Sequence, residues 1–582
     1  YLVCLYPGAD IDDQTAVFKE AYPHCDWSLL SRRAWLGSRA LDYLLTRDDV
    51  NPGLIGITGH SRNGKQSLIA AAMDERITAV ISSSSGSGGA GPFRFNSESR
   101  FQESVEFMTR NFPEWFHPRL RYFTGREDQL PVDCHAYLGL IAPRPCLLSA
   151  ALNDSCECTF ALEQSYASGK EVYEFLRGPA EALSIRYRPG SHETHAEDIQ
   201  TYVDWFEYVW GKAADNPIEH RVYHHFDWKE WASKQPQELR MPEQSNFTAD
   251  GAKTNEEKRR RIKWMLGKEP ALAMDAGGSY GKYPEHLMSM LGHRHYKPAS
   301  VKIHPFSFGG YIRGNLYYTM DLPKPAPVVI WLHPFSYPVG YPGGYTKNEK
   351  IYNYLAEQGY AVFAYDQLGF GSRLEEGAQF YRRYPEWSKL GKMVADVSSL
   401  IDCILADGSE HPDVAFHSFP EFDTSQIYCV GYALGGMVAL YAASLDQRIT
   451  GVASFSGLSP LKEETASLGR SKGNNRSSFS RWYEADDLLP RLGLFEGTRK
   501  NIPYDFDDVL SLIAPRPCYI DSPLHDRENC AETVKKLVDR ARTAWAEHKL
   551  EQQLTHLMRN DYNRFEPEQH RLVKDWLSNI RS

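Results

Sequence analysis

The stretch that decides the fold reads Gly56-Ile-Thr-Gly-His-Ser-Arg-Asn-Gly-Lys65. An apolar run from Leu54 to Ile57 leads into it and predicts a β-strand, and the Ala-rich run from Leu68 to Met73 behind it predicts a helix. Between the two runs, Ser61 has one glycine two positions before it and another three positions after it. Glycines at such positions let neighbouring backbone segments approach closely in a tight turn. The stretch therefore predicts a strand, a sharp turn and a helix, with a serine hydroxyl at the tip of the turn.

Patterns of strands and helices alternate on both sides of this stretch. Further strands are predicted at Tyr1–Tyr6, 77–82, 145–152 and 184–187, and helices at 28–46, 159–176 and 196–210. Alternation at this spacing predicts βαβ units and a parallel sheet. The expected fold class is α/β, in the form of an α/β-hydrolase: a mostly parallel sheet between two helical layers.

Two further polar residues follow predicted strands, where catalytic groups of parallel sheets collect. Asp154 comes directly after the strand at 145–152, and His192 follows the strand at 184–187. The chain order serine, acid, histidine is the order that α/β-hydrolases use. The sequence therefore predicts a catalytic triad of Ser61, Asp154 and His192. His195 is the competing base, but it falls within the start of the following helix and is less favoured.

The chemistry that these residues imply is acyl transfer through a covalent serine intermediate. The imidazole of His192 would remove the proton from the Ser61 hydroxyl as it attacks, and Asp154 would fix the tautomer of the ring. The backbone N–H of Arg62, directly after the turn, would donate to the oxyanion. A second oxyanion donor is expected in a loop that lies before Tyr1.

Four blocks of the first 212 residues together resemble the bacterial glucuronoyl esterases of carbohydrate esterase family 15. The blocks are Gly59-His-Ser-Arg-Asn-Gly-Lys65, Asn111-Phe-Pro-Glu-Trp-Phe116, Gly125-Arg-Glu-Asp-Gln-Leu-Pro-Val-Asp133 and Ile141-Ala-Pro-Arg-Pro145. The resemblance implies serine hydrolysis of an ester on a plant or algal polysaccharide, in that family the ester of a glucuronic acid carboxyl. It also implies that the Arg62 guanidinium assists the oxyanion, that Lys65 contacts sugar hydroxyls, and that Glu103 matches a sugar-contacting acid.

The chain departs from that family in two places. We call the sharp turn at Ser61 the elbow. Many members carry the triad acid after the strand that follows the helix behind this elbow. This chain has Ser82-Ser-Ser-Ser-Gly86 there, so Asp154 must serve. Cys156 stands where a sugar-stacking Trp is expected. An acetyl ester or a pectin-type methyl ester therefore stays open as the substrate. A non-catalytic carbohydrate-binding or scaffold protein is the alternative from another class.

The rest of the chain predicts a linker and a second, degenerate hydrolase domain. We expect a catalytic domain at 1–212, a linker with short helices at 213–298 and a pseudo-α/β-hydrolase domain at 299–582. The second domain repeats the strand–turn–helix as Gly431-Tyr-Ala-Leu-Gly435, with Ala433 in the place of the nucleophile. Asp526 falls where the acid would be, and Asn563 stands in the place of the base. His556 is the remaining candidate base, but without a nucleophile it restores no activity.

Composition excludes several other classes of protein. A chain of 582 residues is expected to form two to four domains, and its formal net charge of −10 argues against a general nucleic-acid binder. No apolar run is long enough to cross a bilayer. Because the chain starts inside a predicted strand, we interpret it as cropped, and we expect a periplasmic or secreted protein. The sequence does not predict the oligomeric state.

No metal or cofactor is expected from the sequence. The ten cysteines show no repeated C-x-x-C, which argues against a structural zinc site, and Cys134, Cys156 and Cys158 are either free thiols or include a disulfide. Gly86-x-Gly88-x-x-Gly91 matches the dinucleotide fingerprint only formally, because Pro92 follows and no helix pattern opens there. The pairs His224-His225 and His293-x-His295 lack further ligands at useful spacing.

Overall fold

The computed structural model describes nine stretches of the chain: residues 1–6, 15–100, 103–236, 254–270, 300–309, 311–343, 349–406, 420–463 and 478–581. By their contacts the residues group into two compact units. The first unit is Tyr1–Tyr223 with Tyr337–Val339, and the second is His224–Ser336 with Gly340–Ser582. The predicted domain boundaries at residues 212 and 298 stay predictions.

A parallel sheet of four strands, in the order β1-β2-β3-β4, forms the centre of the first unit. The strands are β1 (Gly56–His60), β2 (Ala79–Ser83), β3 (Cys146–Ala151) and β4 (Leu183–Arg188). The helices are α1 (Ala16–Ala21), α2 (Leu29–Leu44), α3 (Arg62–Met73), α4 (Val105–Asn111), α5 (Ala136–Ile141), α6 (Thr159–Phe175) and α7 (Ala196–Val209). The predicted alternation and the predicted parallel sheet are confirmed.

Helices cover this sheet on both faces, which explains why every residue of β2 is buried. Ala79 and Ile81 on one face pack with Trp205 of α7. On the other face, Ser82 donates a hydrogen bond of 3.3 Å to the carbonyl of Gly64 in α3. Because neighbouring strand residues point to opposite faces, a strand covered twice reads as a nearly continuous apolar run. The three-layer arrangement follows from this burial.

The strand predicted at Tyr1–Tyr6 is wrong. These residues pair with no strand in the described part of the chain, and Val3 and Leu5 are 75% and 92% exposed. An apolar run becomes a strand only where a sheet edge supplies hydrogen-bond partners. Here aromatic contact holds the segment instead, since the Tyr1 ring lies 6.5 Å from the ring of Trp210.

The second unit contains a larger sheet of eight strands, in the order β12-β11-β10-β9-β7-β8-β6-β5. Its strands are β5 (Val301–Phe308), β6 (Ile312–Thr319), β7 (Ala326–Leu332), β8 (Ala361–Tyr365), β9 (Phe422–Tyr432), β10 (Gly451–Phe455), β11 (Cys518–Asp521) and β12 (Leu554–Leu557). β5 and β6 form the predicted antiparallel hairpin, β6 also runs antiparallel to β8, and the remaining pairs are parallel. Eight strands with the second one antiparallel make an α/β-hydrolase sheet.

The second unit has helices before, between and after these strands. They are α8 (Trp228–Ser233), α9 (Asn255–Leu266), α10 (Ile351–Glu357), α11 (Leu374–Ala378), α12 (Phe380–Arg383), α13 (Lys389–Leu405), α14 (Leu434–Leu445), α15 (Ser478–Ser480), α16 (Phe506–Ser511), α17 (Ala531–Ala546) and α18 (Pro567–Arg581). The two helices in the predicted linker, α8 and α9, pack within this unit. Trp228 donates its indole N–H to the Pro490 carbonyl at 2.7 Å, and Arg261 of α9 donates to the Pro503 carbonyl at 2.9 Å.

The repeated Ile-Ala-Pro-Arg-Pro sequence makes the same contacts in both units. Arg144 donates to the carbonyls of Ala71 and Ile77, each at 2.7 Å. Arg516 donates to the corresponding carbonyls of Ala443 and Ile449, at 2.5 and 2.6 Å. In each unit the guanidinium ties the helix after the elbow to the strand that follows it. The two units therefore share this structural device, and the sequential parallel order of β1–β4 is repeated by β9–β12.

Candidate active site

The turn between β1 and α3 places Ser61 at a strand-to-helix elbow. Ser61 has φ 58° and ψ −125°, a backbone conformation that L-residues rarely adopt. A Cβ at Gly59 would lie 2.2 Å from the carbonyl oxygen of Asn63, so glycine is required there. The Ser61 N–H donates to the Ser83 carbonyl at 2.8 Å, which anchors the turn to β2. Since α3 begins at Arg62, the backbone N–H of Arg62 is one of the first N–H groups of the helix, which have no intrahelical acceptor.

The structure brings His192 and Asp154 together at the ends of β4 and β3. The Nδ1 atom of His192 lies 3.0 Å from each carboxylate oxygen of Asp154. Asp154 is fully buried, and its Oδ1 also accepts the backbone N–H of Cys156 at 2.8 Å. This geometry is that of an acid that orients an imidazole through Nδ1 and leaves Nε2 to accept a proton.

Burial and pairing act in opposite directions on the pKa values of this pair. Burial alone would raise the pKa of Asp154, but the hydrogen bond and charge of His192 hold it below its ordinary value. Burial would lower the pKa of His192, but the hydrogen bond and charge of Asp154 raise it above its ordinary value. The pair is therefore electrostatically matched, with the carboxylate ionised at neutral pH.

The ring of His192 lies against the elbow itself. Its centroid is 4.6 Å from that of His60, the residue before Ser61. Thr194 connects the same loop to the elbow, because its Oγ1 lies 2.9 Å from Nδ1 of His60. Burial and the neighbouring His192 lower the pKa of His60 to about 4, so that this second ring is neutral at pH 7. His195 instead occupies the N-cap of α7, where its backbone N–H donates to Asp198 at 3.0 Å.

Two cations lie beside the elbow, over one indole. The Arg62 guanidinium carbon lies 5.5 Å and the Lys65 ammonium 5.9 Å from the ring centroid of Trp115. Such distances suit cation–π attraction. Burial lowers the pKa of Arg62. Lys65 is buried and donates to the carbonyl of Ser85 in the loop after β2.

Two buried carboxyl groups hold the same loop. Glu103 accepts the backbone N–H of Ser87 at 3.0 Å, and Glu157 accepts that of Gly86 at 2.8 Å. Burial raises the pKa of both, that of Glu157 to about 8, although Lys65 acts in the opposite direction. The loop after β2 is thus fixed by one ammonium and two carboxyl groups.

Sequence reasoning did not select His60, Trp115, Thr194 or Glu157 as individual site residues. His60 and Glu157 were detectable in principle, because they adjoin Ser61 and Cys156 in the chain. Trp115 lay in a block used for the family resemblance, but its position over the two cations comes from a contact distant in sequence.

The corresponding place in the second unit has the same backbone and different side chains. Ala433 has φ 48° and ψ −114°, and a Cβ at Gly431 would lie 2.2 Å from the Gly435 carbonyl oxygen. The Nδ2 atom of Asn563 lies 3.4 Å from Oδ2 of Asp526. His556 on β12 is engaged elsewhere, with its Nε2 2.5 Å from the Ser522 hydroxyl.

The cysteines form no disulfide, since all ten are free thiols. One group in the described part of the chain has the spacing of metal ligands: Asp154, Cys156 and His192. His224 and His225 belong to no such group there, and His293 and His295 lie outside the described residues. None of the described helices is long and apolar enough to span a bilayer.

Comparison with known families separates the chain into the same two parts. Residues 9–177 match the family model described as glucuronyl esterase, fungi, and residues 339–551 match that described as serine aminopeptidase, S33. The predicted resemblance to glucuronoyl esterases and the predicted α/β-hydrolase fold are confirmed.

Two curated relatives match part of the chain. Carbohydrate esterase MZ0003, from an unknown prokaryotic organism, is 32% identical over 196 residues, which are 31% of this chain and 44% of that protein. The 4-O-methyl-glucuronoyl methylesterase of Podospora anserina is 37% identical over 123 residues, which are 20% of this chain and 25% of that protein. The chain thus spans less than half the length of these curated relatives.

Among solved structures, the glucuronoyl esterase from Solibacter usitatus is 30% identical. The similarity covers 32% of this chain and 50% of that one, with a TM-score of 0.30.

Proposed function

We propose that the first unit is a serine carboxylic ester hydrolase that acts on a uronic acid ester of a polysaccharide. Ser61 is the nucleophile, His192 the general base and Asp154 the acid that orients it. The observation that carries the proposal is the pairing of His192 Nδ1 with both Asp154 oxygens at 3.0 Å, on a ring that lies against the elbow. Several of the curated relatives are 4-O-methyl-glucuronoyl methylesterases, which supports the substrate class.

Acylation begins when the Ser61 oxygen bonds to the ester carbonyl carbon and its proton passes to Nε2 of His192. The carbonyl oxygen becomes an oxyanion, to which the backbone N–H of Arg62 donates. As the tetrahedral intermediate collapses, the alcohol leaves with the proton from His192 and an acyl-enzyme remains. A water molecule then attacks with the same base, and Ser61 is regenerated with release of the uronic acid.

The charged groups beside the elbow suit a uronic ester. In this proposal the Arg62 guanidinium assists the oxyanion, and Lys65 and Glu103 contact the sugar. Both cations lie within cation–π distance of the Trp115 ring. The acid formed on hydrolysis carries a negative charge, and a cationic pocket stabilises negative charge on the reacting carboxyl more than it stabilises the neutral ester.

The second unit is proposed to be non-catalytic. Its elbow carries Ala433, and the residue at its buried acid is the amide of Asn563. An amide cannot take the proton of a nucleophile at neutral pH. Because polysaccharides are too large to enter a cell intact, we also propose that the protein works outside the cytoplasm.

Labelling with a fluorophosphonate probe tests the mechanism on the full chain. The unsubstituted protein is expected to be labelled, Ser61→Ala is expected to lose the label, and Ser31→Ala on α2 serves as the matched serine control. Labelling that persists in Ser61→Ala would assign the nucleophile elsewhere. A full chain that takes no label would favour a carbohydrate-binding or scaffold role.

The substrate is tested with three esters: methyl glucuronate, methyl galacturonate and an acetylated sugar. We expect a uronate methyl ester to be hydrolysed with a higher kcat/KM than the acetyl ester. Preference for the acetyl ester would keep the mechanism and overturn the proposed substrate class.

A further inference from the structure

Three unlike donor groups meet at the ends of β3 and β4. Asp154, Cys156 and His192 each offer one ligand atom, and these atoms lie within 4.8 Å of one another. Asp154 and Cys156 share a tight turn, in which the Cys156 N–H donates to the Asp154 carboxylate at 2.8 Å. His192 arrives from the loop after β4 and contacts the same carboxylate at 3.0 Å. The triad acid and base thus have a thiol beside them.

The donor set is one that zinc prefers. Zn²⁺ binds thiolate sulfur, imidazole nitrogen and carboxylate oxygen at about 2.0–2.3 Å, in tetrahedral sites that often leave one position for water. Tetrahedral ligands at those bond lengths lie roughly 3.3–3.8 Å apart. The three ligand atoms lie within 4.8 Å of one another, so metal binding requires them to move closer together, and Cys156 is only partly buried. Mg²⁺ and Ca²⁺ prefer six or more oxygen ligands, so this set does not suit them.

We infer that Asp154, Cys156 and His192 form a binding site for a thiophilic divalent cation of the Zn²⁺ type, and that its occupancy switches off ester hydrolysis. On binding, the Cys156 thiol releases one proton and its sulfur bonds to the metal, and nothing is oxidised or reduced. The ligand atom of His192 is Nδ1, the ring nitrogen that lies 3.0 Å from the Asp154 oxygens. When Nδ1 binds the metal, its proton moves to Nε2, which leaves no lone pair there to accept the Ser61 proton. Metal binding therefore removes the base.

The inhibitory half of this inference rests on the proposed function, but metal binding itself does not. Binding is therefore measured first, on the full-length Ser61→Ala variant, which cannot hydrolyse an ester by the proposed route. Isothermal titration with Zn²⁺ in two buffers of different ionisation enthalpy gives the stoichiometry, Kd and protons released. We expect one equivalent at this site, with release of one proton.

Two variants in the Ser61→Ala background identify the ligands. Cys156→Ser is expected to raise the Kd for Zn²⁺ at least tenfold, and Cys25→Ser, which changes an exposed thiol, is the matched control. His192→Asn is expected to raise the Kd as well. Because the two substitutions lie at different positions, a shared loss of Zn²⁺ binding would not be explained by a folding defect at residue 156 alone. A saturable site that keeps its Kd in both the Cys156→Ser and His192→Asn variants, or the absence of a saturable site, would overturn the inference.

Inhibition is then measured as the fraction of each protein's own activity. Zn²⁺ is expected to inhibit the unsubstituted enzyme, with recovery on addition of EDTA, and at least tenfold more Zn²⁺ is expected to be needed for Cys156→Ala. Equal inhibition of both would refute the switch even if binding is found. Binding without any hydrolysis in the unsubstituted protein would contradict the proposed function and leave the metal site standing.

Discussion

Asn563 points its side-chain amide at Asp526 in the second unit, with 3.4 Å between Nδ2 and Oδ2. In the first unit the corresponding partners are His192 and Asp154, an imidazole and a carboxylate at 3.0 Å. Both acids are buried. Asp154 faces the imidazole of His192, which can carry a positive charge. Asp526 instead faces the amides of Asn529 and Asn563. Their pKa values accordingly move in opposite directions: that of Asp154 falls, and burial raises that of Asp526 to about 7.

Asp526 should therefore make stability depend on pH. In the unfolded chain its pKa is about 3.9, so the unfolded state loses the proton at lower pH than the folded state does. The free energy of unfolding that this group contributes is fully present below about pH 4 and declines as the pH rises toward 7. We expect Asp526→Asn to reduce the loss of stability between pH 5 and pH 8 by at least about 1.4 kcal/mol, the equivalent of one pKa unit.

Chemical denaturation at the two pH values measures this effect. Asp575→Asn, at a carboxyl that is 63% exposed beside Lys574, is the matched control and should leave the pH dependence unchanged. The expectation fails if Asp526→Asn and the unsubstituted protein lose equal stability between pH 5 and pH 8.

The pairing of His192 with Asp154 predicts the acid limb of the activity profile. The base must be neutral to accept the serine proton, and Asp154 raises the pKa of His192 above its ordinary value. kcat/KM should thus fall as the pH drops through a midpoint above about 6.5. If the proposed triad operates, Asp154→Asn should lower the rate by about 10⁴-fold and move the midpoint to lower pH.

The measurement is kcat/KM for a uronate methyl ester from pH 4 to pH 9. Asp204→Asn, on the exposed side of α7, controls for removal of a carboxylate from the same unit. An acid limb that does not move in Asp154→Asn would show that this residue does not set the pKa of the base.

Lys65 should contribute to selectivity for the sugar. Lys65→Met keeps the length of the side chain and removes its charge, so kcat/KM for a uronate ester should fall about tenfold, or about 1.4 kcal/mol. The ratio of kcat/KM between a uronate ester and a simple acetyl ester separates sugar contact from general damage, because damage lowers both. Lys170→Met is the matched control, since Lys170 also donates to a backbone carbonyl, that of Ala180 at 2.6 Å. An unchanged ratio would argue against sugar contact by Lys65.

Gly86 is expected to be indispensable to the loop after β2. It has φ 57°, and a Cβ there would lie 2.4 Å from the Cys156 carbonyl oxygen and 2.6 Å from a Glu103 carboxylate oxygen. Gly86→Ala should lower the Tm and the hydrolysis rate together, because it separates segments that position Glu103 and the turn after Asp154. Gly211→Ala is the control, with φ 69° and open space around the site, so it isolates the cost of the backbone conformation. Equal losses of Tm in Gly86→Ala and Gly211→Ala would mean that the close contacts of a Cβ at residue 86 add nothing to the cost of the backbone conformation.

Much of the fold could be predicted because its signals are local. Glycines at fixed offsets marked the elbow at Ser61, and apolar runs bounded by turns marked β2, β3 and β4 within two residues at each end. Strand exits then gave Asp154 and His192, since parallel strands end at one edge of the sheet. The proposed absence of a base in the second unit rests on an equally local signal, because Asn563 is visible in the sequence without coordinates.

The remaining features depend on contacts between distant parts of the chain. Nothing near Tyr1–Tyr6 in sequence tells whether a sheet edge is present to receive the segment. The contact of Glu157 with Gly86 spans 71 positions, and that of Lys65 with Ser85 joins a helix to a loop beyond the next strand. Such contacts follow from tertiary packing, which a single sequence does not encode in any short pattern.

The left-handed backbone at Ala433 persists where there is no hydroxyl for it to present. The cause is steric. The end of the strand and the start of the helix lie so close together that a Cβ at Gly431 would be 2.2 Å from the Gly435 carbonyl oxygen. Surveys that recognise hydrolases by the shape of this elbow would therefore score both halves of the chain alike. The two halves differ instead in the side chain at the turn and in the acid and base that later segments of the chain bring to it.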